Sequence, residues 1–65
     1  MTFERDSRKL IKMLEDDGWT LLRVKGSHHH FHKKGHRHIV TVPHPRKDIS
    51  PGVCRAIYQA AGWKN

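Results

Sequence analysis

The chain has a single cysteine, Cys54, which excludes an internal disulfide and any multi-cysteine zinc site. Small domains often lean on such staples. Without them, 65 residues must hold together by packing, and at this size only about 60% of the unfolded surface can be buried. The chain reads as one domain, 1–65. Cys54 falls in a run with helical periodicity, where a small buried thiol is the ordinary role. Long apolar runs are also missing, since no stretch approaches the roughly 20 residues of a membrane span. Residues 1–12 alternate charged and apolar side chains and lack the core of a signal peptide. These absences point to a cytoplasmic protein in a reducing compartment, with no membrane role.

Acids are scarce where they matter most. Residues 1–17 carry five acids and four bases, and residues 48–65 carry one acid and two bases. Residues 18–47 hold seven Lys/Arg, no acid, and all seven histidines, so the net charge of +7 arises in the middle of the chain. A segregated basic field suits a polyanion, and nucleic acid is the commonest one in the cytosol. An acidic protein could exploit the same field.

Along the chain, Ser7 or Asp6 can cap a helix carrying Leu10, Ile11, Met13 and Leu14. Asp16-Asp17-Gly18 ends it, with Gly18 able to turn left-handed. Acids at that end oppose the helix dipole, a local inconsistency. Trp19 to Lys25 is a candidate strand, broken by Gly26-Ser27. His28 to Lys33 is a second, and Lys34-Gly35 supplies a turn. His38 to Val42 gives the clearest strand pattern, stopped at Pro43-His44-Pro45. Ser50 as N-cap and Pro51 at the first helical position start a last helix. It presents Val53, Cys54, Ile57, Tyr58, Ala60 and Ala61, and Gly62 closes it. The order α-β-β-β-α predicts an α+β fold, a three-stranded antiparallel meander with both helices on one face and the other face open to water.

Three origins for the histidines compete. A tag remnant is excluded because the run lies between strand-like segments. A metal site is possible in principle, since imidazole suits zinc, copper and nickel. Strand alternation, however, spaces His28, His30 and His32 at steps of about 7 Å, too far for three residues of one flat strand to share an ion. A cross-strand pairing with His36 or His38 stays open at this point. The third origin is acid–base chemistry, because imidazole gives and takes protons near neutral pH. Cleaving RNA internally needs a base for the 2′-hydroxyl, an acid for the leaving 5′-oxygen and cations for the phosphorane. Imidazoles among Lys and Arg can supply all three.

The order of short motifs narrows the choice. Asp17-Gly18-Trp19 is followed by Arg23-Val24-Lys25-Gly26-Ser27-His28-His29-His30-Phe31, then Thr41-Val42-Pro43-His44-Pro45 and Ser50-Pro51-Gly52. In this order and spacing, from about Ser7 to Gly62, the chain resembles the HicA family of toxin–antitoxin systems. The resemblance implies a double-stranded-RNA-binding-domain-like fold and a toxin that cleaves mRNA as an endoribonuclease without a cofactor or metal. It also implies a neutralising HicB antitoxin, acidic, through which any DNA contact would be indirect. The family's catalytic histidine follows Gly-Ser, which places it here at His28.

If Phe31 faces the helices, His29 and Lys33 point inward or to the rim, while His28, His30 and His32 face the open side. Lys25, Lys33, Lys34 and Arg37 are expected to flank the strand pair, with Arg46 and Lys47 on the loop beyond. With Ser27 and His30 they form the expected RNA-binding set, in which phosphate contacts carry affinity rather than sequence choice. Trp19 and Phe31 are expected in the core, Trp63 in terminal packing. His44 could stiffen its loop or serve function. The main rival is a non-catalytic module that grips RNA by shape, which would have no use for a histidine poised near neutral pH.

Overall fold

The computed structural model describes residues 2–64. Asp6 caps α1 (Ser7–Asp16), its carboxylate accepting the Arg8 N–H at 2.9 Å. Leu10 and Leu14, one turn apart, are fully buried, with Ile11 and Met13 packed at the edge of the core. Gly18, at φ +92°, turns the chain out of the helix. The acids there are not idle. One Asp17 carboxylate oxygen accepts the indole N–H of Trp19 at 3.1 Å and of Trp63 at 3.0 Å, and Lys33 Nζ lies 3.4 Å from the other. The Trp63 indole, with that of Trp19, holds the Asp17 carboxyl below the ordinary carboxylate value.

Three strands follow, β1 (Thr20–Lys25), β2 (His28–His32) and β3 (Val40–Pro43), antiparallel in the order β1-β2-β3. Helix α2 (Pro51–Ala61) starts at Ser50, whose hydroxyl accepts the Val53 N–H, and ends at Gly62 in the left-handed conformation. The α-β-β-β-α order and the single antiparallel sheet are as the sequence predicts. Phe31, Val40 and Val42 point to the helices and join Leu10, Leu14, Trp19, Ile49, Cys54 and Ile57 in one core. Burial raises the pKa of the Cys54 thiol, in keeping with an inert core role.

Three expected details differ. The third strand begins at Val40, opposite Phe31, and not at His38, because β2 ends at His32 and offers no ladder further on. It also runs through Pro43, which pairs with His28; β3 is an edge strand, and a residue there can lack one N–H without breaking the ladder. Val53, expected on the buried face of α2, is 41% exposed. No helix among the described residues is long and apolar enough to cross a membrane.

Candidate functional site

The open face of the sheet carries the histidines. Gly26, at φ +60°, closes the β1–β2 turn and sets His28 as the first residue of β2, opposite Lys25. Phe31 and His29 share the helix side with Val40 and Val42, so His28, His30 and His32 stand on the other side. Partners across the ladder form two rows, Lys25–His28–Pro43 and Arg23–His30–Thr41. A bulge between Leu21 and Arg23 makes this possible. Counting straight from the Leu21–Phe31 pair would set Arg23 against His29, on the helix side. The extra residue shifts the register by one and sends Arg23 and Lys25 to the histidine face.

His28 and His30 have ring centroids 6.5 Å apart, inclined at 53°. Nδ1 of His30 shares a 2.9 Å hydrogen bond with Thr41 Oγ1. Partial burial, then the positive charge of Arg23, lowers the His30 pKa from the ordinary imidazole value. His28 is exposed and lines a cleft of about 470 Å³ with Thr41, Arg46, Asp48, Ser50 and Val53. The one carboxylate there, Asp48, is held by Arg5 at 2.8 Å, so it offers little repulsion to an anion. The partly exposed Val53 is a wall of this cleft.

A second layer fixes the loop that carries Arg46. The buried Ser7 hydroxyl accepts the Arg46 N–H at 2.9 Å and lies 2.7 Å from His44 Nδ1, while the Ser7 N–H donates to the Arg46 carbonyl at 2.8 Å. The His44 N–H donates to the Ser27 carbonyl at 2.7 Å, joining this loop to the turn before His28. The His44 ring meets His29 edge to face at 4.9 Å. Both rings lie on the helix side, and Nδ1 of His29 is buried without a partner. His44 therefore organises the loop. Ser27 shapes the turn and anchors His44 through its carbonyl.

The expected site residues divide into two groups. Lys25, Ser27, His28, His30 and Arg46 gather at one end of the open face. Lys34 and Arg37 lie in the β2–β3 connection, at the other end of a strand whose four steps span about 13 Å. Lys33 is turned to Asp17, away from His28. Lys47 borders a small hollow with Ser7, Arg8 and His44 rather than the His28 cleft. Sequence reasoning omitted Arg23, since only the bulge reveals its face. His36 packs its ring on Trp19 at 5.0 Å. Among the described residues, no three His, Cys, Asp or Glu side chains are grouped to hold a metal ion.

A small basic α+β domain with an open, histidine-bearing sheet is the class of protein that these features define. Residues 7–63 match the model of the HicA toxin of bacterial toxin–antitoxin systems, and the chain belongs to that family. It is thus a toxin of a toxin–antitoxin system. The chain is also similar to one chain of a solved structure described as the HicA3 and HicB3 toxin–antitoxin complex. The two share 43% identity and a TM-score of 0.67, over 91% of this chain and 96% of that one. Comparison with curated proteins gave no match.

Proposed function

We propose that this toxin is an endoribonuclease that cleaves mRNA without a metal, with His28 as a catalytic acid–base residue on the open sheet. The observation that carries this is the row Lys25–His28–Pro43 beside the cleft that holds Arg46. An exposed imidazole stands there between cations contributed by two different elements. A phosphodiester lying across it would meet a proton-transfer group and positive charge for the phosphorane oxygens at once. The same cations would attract a carboxylate-rich protein. The partner proposed is an acidic antitoxin of the HicB type, in line with the complex in which the solved relative is found, covering the His28 face and blocking RNA.

His28→Ala tests the assignment directly. An exposed substitution should change stability by no more than about 0.5 kcal/mol. RNA affinity should hold as well, because several lysines and arginines supply it. Cleavage should be lost. A His28→Ala protein that melts like wild type and still cuts RNA at the wild-type rate would remove the assignment.

A further inference from the structure

His28 is not the only imidazole on the open face with a fixed surrounding. His30 stands one alternation further along β2. Its ring centroid is 6.5 Å from that of His28. At that separation the rings cannot hydrogen-bond each other, yet one phosphodiester can lie within about 3 Å of both. Thr41 occupies Nδ1 of His30 at 2.9 Å, which fixes the ring and leaves Nε2 as its only nitrogen for a substrate. Each histidine has its own cation across the ladder, Arg23 for His30 and Lys25 for His28. His32, the third histidine of the face, stands opposite Thr20 and has none.

We propose that His30 is a second catalytic residue, with its Nε2 taking the 2′-hydroxyl proton while His28 protonates the departing 5′-oxygen. This rests on the ribonuclease function proposed above. The 2′-oxygen forms a bond to phosphorus as its proton passes to His30. The bond from phosphorus to the 5′-oxygen breaks, its electron pair stays on that oxygen, and a proton from His28 neutralises it. The products are a 2′,3′-cyclic phosphate and a 5′-hydroxyl, with no redox partner and no water consumed. One proton has moved from His28 to His30 by way of the substrate, and exchange with solvent restores both rings.

The environment suits these roles. A base must be neutral before it acts, and partial burial together with Arg23 favours neutral His30. The ionisable groups whose charge acts on it are Arg23 and Lys25 from β1, His28 beside it on the open face, and His29 from the opposite face of β2. β3 contributes none, since its residues are Val40, Thr41, Val42 and Pro43. The acid-side fall of kcat/KM should therefore lie below the ordinary imidazole value of 6.5.

The test uses an RNA whose cleavage position has first been mapped, and the same RNA carrying sulfur in place of the bridging 5′-oxygen at that position. A thiolate leaves without being protonated, so the sulfur substrate dispenses with the acid but not with the base. Wild type, His28→Ala, His30→Ala, His30→Asn and His32→Ala are compared on both. Asparagine keeps a polar group near the position of Nδ1, so His30→Asn preserves the Thr41 contact and separates chemistry from folding. Both His30 variants should lose about 10²–10⁴-fold on either substrate. His28→Ala should lose as much on the oxygen substrate and recover most of it on sulfur, while His32→Ala should stay near wild type. His30→Asn cutting both substrates at the wild-type rate would overturn the proposal. So would sulfur rescue of the His30 variants in place of His28→Ala. If the mapping step finds no RNA that the wild-type protein cuts, the ribonuclease function itself is overturned, and this proposal with it.

Discussion

Ser7 is a buried hydroxyl, at 1% exposure, and its removal should be felt in stability more than its size suggests. Ser7→Ala deletes the hydroxyl that accepts the Arg46 N–H at 2.9 Å and meets His44 Nδ1 at 2.7 Å. Each bond contributes a net 0.5–1.5 kcal/mol or so, which makes the loss about 2 kcal/mol. Better helix propensity of alanine in the first turn returns about 0.5 kcal/mol at most. A domain of this size holds only roughly 3–10 kcal/mol in total. A net loss of about 1.5–2 kcal/mol corresponds to a fall in Tm of roughly 6–16 °C. Urea unfolding followed by circular dichroism would measure it for Ser7→Ala, His44→Ala and the double variant. The pair should show a coupling energy of about 0.5 kcal/mol or more, as contacting residues do. A Ser7→Ala protein within about 0.5 kcal/mol of wild type, with additive double-variant losses, would refute the reasoning.

The cationic rows predict that RNA affinity falls steeply between low and physiological salt, and that Arg23→Ala and Lys25→Ala each make that slope shallower by about one unit. A slope unchanged in both variants would place RNA elsewhere. Proton transfer by imidazoles without a metal predicts that cleavage persists in excess EDTA; loss on chelation with recovery on added zinc or manganese would contradict it. Asp17 is held in its charged form by Trp63 and Trp19, so its contribution to stability is present above the ordinary value of 3.8 and is lost as pH falls through its lowered one. Asp17→Asn should flatten the acid limb of stability, read by tryptophan fluorescence, and an unchanged limb would show that the indole contacts carry no pH dependence.

The elements were legible because their ends are chemically marked. Asp6 and Ser50 cap, Gly18 and Gly62 turn left-handed, and Gly26-Ser27 separates two strands. The choice of open face followed from Phe31 and a period of two. The composition of that face did not, because the bulge at Leu22 reverses the parity of β1 and no residue there announces it. Arg23 was missed for that reason. Lys33 was overcounted because its ion pair with Asp17 depends on where a helix end meets a strand end, a long-range fact. His44 was ambiguous for the same reason, since its partner Ser7 lies 37 positions away in sequence.

The division of β2 into two faces has a further consequence for how the toxin can vary. Phe31 is 1% exposed and locked among the core residues, and truncating it to alanine should cost about 3–5 kcal/mol, much of what the domain holds. His28 and its cross-strand neighbour Lys25 are exposed, on the face of the sheet opposite that of Phe31. Chemistry and folding therefore draw on alternate residues of the same five-residue strand. Changes on the histidine face can alter activity with little loss of stability, whereas changes on the other face must lose both together. The two layers meet through Ser7, His44 and the Ser27 carbonyl, which hold the turn and the Arg46 loop against the helix that supports them. A substitution there should loosen the site before it unfolds the domain.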